Sequence, residues 1–260
     1  MSASGRTLST PRFVILSVAG AATFLAIWYG AALAGAAPAH FLPMPHEVAT
    51  RLVRLIRVPF AGATLEQHLA ASFTRFAFGF GLAAVIGVPL GLLVGRFGWL
   101  DGLISPVFNG LRFVPPIAWV PFAALWMGTG LGGPILIIFA GAFPPCVINA
   151  QRGVKFIDRP LLEASRTLGL TNIQVLTEVL FPAALPSIIA GLRISAGLGW
   201  MSLVGAELIV ASSGIGNVLV KGQSAIDASI VMAGMIAIGV VGAAIDIVLR
   251  GVQNRLSYTS

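Results

Sequence analysis

Ionisable side chains set in apolar sequence are the first candidates for chemistry, and this chain has few of them. Arg112, Arg193, Glu207 and Asp246 each fall in or beside a long greasy run. Charge is costly in such surroundings, so each needs a partner or a purpose. Asp246 precedes Arg250 by one helical turn, a spacing that makes a local ion pair. Glu207 either lines a vestibule or supports its shape by bonding to a neighbouring helix, with support the favoured reading. Arg112 and Arg193 lie deeper. Facing a cavity, a guanidinium there suits an anionic solute; otherwise it holds the carbonyls of a broken helix or snorkels inward. Pro115 and Pro116 interrupt the run beside Arg112, and broken helices persist in membranes only where protein or a water-filled cavity satisfies the backbone. Both prolines therefore join Arg112, Arg193 and Glu207 as candidates for a transport pathway.

Other chemistry is missing. The only lysines are Lys155 and Lys221, and neither follows a glycine, so no Walker-type phosphate loop can be built. Residues 128–133 spell G-x-G-x-x-G, but between two apolar runs and with no preceding strand, which reads as a tight turn. Cys146, the sole cysteine, sits in an apolar run as a small buried hydrophobe. His40, His46 and His68 show no metal-ligand spacing. No nucleophile–base constellation points to an enzyme, and no catalytic or metal-ligating set is assigned.

The one polar island runs from 151 to 182. Pro160 suits the first turn of a helix, Asp158 can cap it and Glu163 favours the dipole. Gly169 is a natural stop. Leu161, Leu162, Ala164, Ser165 and Leu168 then form an apolar, small-residue stripe. A short capped helix held at the water surface must meet something soluble.

Glu163-Ala164-Ser165, Gly169 four residues later, and Val179-Leu180-Phe181-Pro182 resemble the EAA loop of ABC importer permeases. That pattern is Glu-Ala-Ala, three residues, Gly, nine residues, Ile, any residue, Leu-Pro. Ser165, Val179 and Phe181 depart from it mildly. The likeness extends over about residues 28–249. Leu42-Pro43-Met44-Pro45, Val114-Pro115-Pro116-Ile117-Ala118, and Phe181-Pro182-Ala183-Ala184-Leu185-Pro186 with Gly191-Leu192-Arg193 are similar to the taurine/nitrate/sulfonate branch.

The resemblance implies an all-α membrane protein of about six transmembrane helices, with the type I ABC importer permease fold and a cytoplasmic coupling helix. Leu161, Leu162, Glu163, Ala164, Ser165, Arg166, Leu168 and Gly169 would meet an ATP-binding subunit, present in two copies, which would hold ATP and Mg; this chain would bind no cofactor itself. A periplasmic or lipid-anchored substrate-binding protein would deliver a small solute, such as taurine or another sulfonate, nitrate or a similar anion, to the external face near 212–217. The permease would pair as a homodimer in the cytoplasmic (inner) membrane of a bacterium. An ion-gradient-driven secondary transporter is the rival reading. It needs intramembrane acids, for which only Glu207 and Asp246 qualify.

The elements that must position these residues are membrane spans. The chain is 57% hydrophobic and 10% charged, against about a quarter charged in soluble domains. Its net charge of +7 marks loops rather than a nucleic-acid surface, since no aromatic–basic interleaving accompanies it. Six spans fit 260 residues: 13–36, 69–95, 103–127, 131–150, 183–211 and 229–249. They make one permease domain, 13–252, containing a coupling loop at 152–182, with cytoplasmic tails 1–12 and 253–260. The first run is too long for a signal peptide and is read as a retained span. Lys and Arg favour both termini inside. Arg51, Arg54 and Arg57 then fall outside. An amphipathic helix over 45–58, with Val48, Leu52, Leu55 and Ile56 on one face, either lies on the outer surface or turns back into the bundle. Gly87, Gly91 and Gly95, and Gly191, Ser195 and Gly199, form small-residue rows for close helix contact.

Overall fold

The computed structural model describes residues 10–38, 40–128, 130–209 and 211–257. Most of the tail expected at 1–12, Thr129 of the 128–133 turn, and residues 258–260 lie outside them. The described residues are helical, with one lone β-bridge between Phe60 and Ala63. In chain order the α-helices are α1 Thr10–Leu33, α2 Pro45–Arg57, α3 Leu65–Arg96, α4 Gly98–Leu111, α5 Val120–Met127, α6 Gly132–Lys155, α7 Arg159–Thr167, α8 Asn172–Gln174, α9 Phe181–Ile209, α10 Ile215–Ser224 and α11 Ala228–Ser257.

Five stretches are long and apolar enough to cross a membrane, and the pair around the expected third span makes a sixth if counted as one. That third span is not one helix. The pieces Gly98–Leu111 and Pro116–Met127 meet at 89°. Pro115 adopts φ −58°, ψ 138°, because a following proline excludes the helical region. Pro121 breaks nothing: it sits in the first turn of α5, where a missing N–H has no partner to lose.

Two other boundaries move for a local reason. α3 begins at Leu65, four residues before the expected start. Thr64 and Gln67 form a reciprocal cap there, with the Thr64 N–H donating to Gln67 Oε1 at 2.9 Å. The fifth span begins at Asn172, eleven residues early, where the Thr171 N–H donates to Gln174 Oε1 at 2.9 Å. From there the helix runs without a break through a π-helical turn, Val175–Leu180, into α9. Pro182 would clash with a carbonyl in a regular α-helix. The wider i→i+5 turn before it, with the Phe181 N–H reaching the Leu176 carbonyl, absorbs it. The stretch outside the long helices is therefore shorter than the expected 152–182. At 38 residues the combined helix measures about 57 Å, beyond the roughly 30 Å hydrocarbon layer, so one end stands in water.

α6 is the centre of the bundle, gripped by α3 on one side and α9 on the other. The expected small-residue rows sit at these two seams. A Cβ on Gly91 would fall 2.4 Å from the Val147 carbonyl, and one on Gly191 2.4 Å from Asn149 Cβ. Cys146 is buried and its thiol lies 3.1 Å from Ser195 Oγ.

α2 turns onto the protein. Val48 and Leu55 are buried with Leu65, Ile215, Val218 and Ile230, with Leu52 against them. Ile56, expected on the same face, is exposed. Arg51 pairs with Asp227 in the loop before α11. Burial raises the Asp227 carboxyl pKa, but the Arg51 guanidinium and the Ile230 amide more than offset it, leaving the group below the ordinary carboxylate value. α1 lies at the edge. The Trp28 indole N–H donates to the Pro43 carbonyl at 3.1 Å, and its ring packs on the α2 cluster.

Candidate functional site

The middle of the polar island folds as the short helix α7, seated on one side against the bundle. Its expected apolar stripe divides between two faces. Leu162 turns inward, and with Ile157 and Leu170 it packs on Leu92, Val154, Val175 and Leu180, residues of α3, α6 and the π-turn. Ser165 is buried, its hydroxyl donating to the Leu162 carbonyl at 2.7 Å. Leu161, Glu163, Ala164 and Leu168 face out, with Leu168 78% exposed. Gly169 stops the helix at φ +73°, and the Leu170 N–H closes back onto the Ser165 carbonyl at 3.2 Å. Arg166 lies on the helix, and its side chain is outside the described residues. Two apolar residues not foreseen, Phe156 and Ile173, flank the helix with about three-quarters or more of their surface open; hydrophobes inside a polar island were the available signal.

Asp101 was also missed. It receives Lys155 Nζ at 2.6 Å, Gln151 Nε2 at 2.8 Å and Ser105 Oγ at 2.5 Å. This ties α4 to the last turn of α6, just before α7.

A cavity of about 670 Å³ opens between the α4–α5 break, α6 and α9. Arg112 and Pro116 line it, as do Asn149, Arg152 and Ser202. The Arg112 guanidinium lies 4.9 Å from the centre of the Phe113 ring. Pro115 shapes the break without entering the wall. Arg193 is engaged elsewhere: its Nε donates to Asp246 Oδ1 at 2.5 Å and its Nη2 to Oδ2 at 3.3 Å. Arg250 shares the same carboxylate at 3.0 Å, so the expected local pair is one half of a three-residue bridge from α9 to α11.

Glu207 is 1% exposed and does not line the cavity. It anchors a buried polar knot at the far end of α9, about 40 Å along that helix from α7. Ser72 Oγ donates to the carboxylate at 2.8 Å, Arg75 Nη1 at 2.7 Å, and the Gly216 N–H at 3.0 Å. Arg75 also reaches the Ser213 carbonyl at 2.7 Å and its hydroxyl at 2.6 Å. Ser72 Oγ accepts from the Ile215 N–H at 2.9 Å. His68 Nδ1 lies 3.2 Å from the Gly214 N–H and its Nε2 2.9 Å from the Phe60 carbonyl oxygen. Gly214 holds φ +108°, and a Cβ there would strike the Glu207 carboxylate at 2.2 Å. The knot pins the turn before α10 and that helix's first residues to α3, so the loop expected at 212–217 is helical from Ile215. His68, Ser72 and Arg75 are spaced four and three apart, one face of a helix; that spacing was the overlooked signal. Among the described residues Arg75 Nε is the one buried side-chain donor or acceptor left unpaired.

Comparison with known proteins follows the same lines. A family model described as the binding-protein-dependent transport system inner membrane component matches residues 87–258. The taurine transport system permease protein TauC of Escherichia coli (strain K12) is 36% identical over 247 residues, covering 95% of this chain and 90% of that protein. The nitrate import permease protein NrtB of Synechocystis sp. is 36% identical over 210 residues, covering 79% of this chain and 76% of its own length. Among solved structures, a chain of the MetNI methionine ABC transporter in inward-facing conformations superposes with a TM-score of 0.63 at 23% identity, covering 82% of this chain and 99% of that one. That likeness is one of fold.

Proposed function

The chain belongs to the family of binding-protein-dependent transport system inner membrane components, and from that premise we propose that α7 is the element through which a nucleotide-driven partner moves the bundle. The chain is a multi-pass permease of an ABC importer, which works with an ATP-binding subunit and a substrate-binding protein. ATP and Mg belong to the ATP-binding subunit, since this chain has no phosphate loop. Two permease copies and two ATP-binding subunits make the complex, in the inner membrane with both termini and α7 on the cytoplasmic side. The cargo is a small anion of the kind named for the relatives, such as taurine, another sulfonate or nitrate.

The observation that carries this reading is the two-sided character of α7. Leu161, Glu163, Ala164 and Leu168 are presented to solvent, while Leu162 packs on the cluster of α3, α6 and the π-turn that leads into α9, and Ser165 is buried. A push on the outer face therefore reaches α9, which also walls the cavity. A partner that binds one arrangement of α7 more tightly shifts the bundle by that difference in affinity. The ion-gradient alternative wants a free acid in the membrane. Glu207 and Asp246 are both committed to arginines, which favours the ATP-driven reading.

Glu163→Ala and Gly169→Val test it. The expected outcome is normal membrane insertion, weakened copurification with the ATP-binding subunit, and loss of ATP-driven uptake. Native mass spectrometry of the wild-type complex should count two copies of each subunit. Variants that assemble and transport normally would remove α7 from the mechanism.

A further inference from the structure

We propose that Arg112 and Arg152 form an anion-binding site on the cavity wall, so that the permease selects for charge in its own right, in addition to the protein that delivers its cargo. This rests on the importer reading and extends it to particular side chains. The wall contains two guanidiniums and no carboxylate. Among the described residues Arg75 is matched by Glu207, Arg193 and Arg250 by Asp246, Lys155 by Asp101 and Arg51 by Asp227, whereas the unmatched Arg54, Arg57, Arg96 and Lys221 do not line the cavity. Arg112 and Arg152 make no such pair within the described residues. Arg112 has the face of Phe113, a contact that leaves the edge of its guanidinium free to donate. Gln151 and Lys155 turn to Asp101 while Arg152, on the same last turn of α6, faces the cavity.

The chemistry of the wall defines the ligand class. A guanidinium is a planar fork of N–H donors that fits two oxygens of one group. Asn149 stands one turn before Arg152 on the same helix face. One of its amide hydrogens goes to the Pro145 carbonyl, and the other remains to donate. Apart from Ser202, whose hydroxyl donates to the Leu198 carbonyl, the rest of the wall is apolar, with Pro116, Ile117, Leu198 and Met201. The matching solute is a small organic oxyanion, with a head of two or three oxygens and a short hydrocarbon body. The bend between α4 and α5 presents the first arginine and the end of α6 the second, so an anion can pass from one to the other without meeting an acid.

The test is arginine modification by phenylglyoxal, read residue by residue by mass spectrometry on the full chain in zwitterionic nanodiscs. Ethanesulfonate is the probe and dimethyl sulfone the neutral control. Ethanesulfonate should slow modification of Arg112 and Arg152 about tenfold, the scale of one charge-assisted hydrogen bond. Exposed Arg54 and Arg57 should be unaffected, and the sulfone should protect nothing. Arg112→Gln should abolish protection at Arg152, whereas Arg112→Lys should keep part of it. Equal protection of all four arginines, or of none, overturns the proposal. So does protection that appears only when anionic phospholipid is added, which assigns the pair to lipid headgroups. Copurification with the ATP-binding subunit, scored on the same preparation, reports on the importer reading separately: a chain that assembles but shows no protection loses only the anion site.

Discussion

Glu207 accepts from three donors on two helices, α3 and α10, and its arginine partner already has one donor unpaired. Removing one member of a buried pair costs about 3–5 kcal/mol, whereas replacing both with apolar residues of similar volume is often neutral. Glu207→Ala should therefore lower the melting temperature of the solubilised chain sharply, and the double change Glu207→Leu with Arg75→Met should recover part of the loss. Thermal unfolding followed by circular dichroism separates the two, and an equally unstable double variant would deny the pairing its role. Sequence disclosed Glu207 as a supporting residue but not its partners. Arg75 lies 132 positions away, and nothing local links the two. Arg193, a pathway candidate from sequence, is held by Asp246 away from the cavity wall, and that too is a long-range contact. The Asp246–Arg250 pair is visible at one turn's spacing, while the arginine that crosses from α9 to share it is a fact of packing. Arg112 lies in the cavity wall beside the break that Pro115 and Pro116 mark in the sequence.

Helix existence was legible from hydropathy, and helix ends were not. The starts at Leu65 and Asn172 are set by the Thr–x–x–Gln caps, which a hydropathy window averages away. The π-turn could not be anticipated from Pro182, which reads as a stop until tertiary contacts hold the wider turn in place. The stripe on α7 was drawn from spacing alone, and spacing does not say which residues a neighbouring cluster will claim. The small-residue rows, by contrast, were read correctly as seams. At the α3–α6 seam a side chain on Gly91 meets backbone, which cannot swing aside. Overpacking commonly costs about 1–3 kcal/mol, so Gly91→Leu should destabilise the chain by at least that much. Chemical unfolding in detergent measures it, and wild-type stability would show that the helices can part.

The whole bundle has two unlike ends joined by α9: an exposed elbow at one, a sealed polar knot at the other, and the cavity between. The proposed orientation puts the elbow inside the cell. Cys146 is the only cysteine and is buried, so a single added thiol reports cleanly. Leu168→Cys should react with a membrane-impermeant maleimide in inverted vesicles and resist it in intact cells, with Arg57→Cys behaving the opposite way. Reactivity of Leu168→Cys from outside would reverse the topology and remove α7 from any contact with cytosolic nucleotide chemistry. The overall architecture was readable from length and hydropathy, but the cavity was not. Three elements distant in sequence build it, and only Arg112 and Pro116 of its wall were foreseen.

The wide turn at Val175–Leu180 also fixes a compass bearing. An i→i+5 turn takes one residue more than an α-turn, and each residue is worth about 100° of azimuth. The heading of α7 thus depends on a head count in that turn as well as on the seat of Leu162 against Val175 and Leu180. With one residue fewer, every contact group would survive, addressed to the wrong quarter of the horizon.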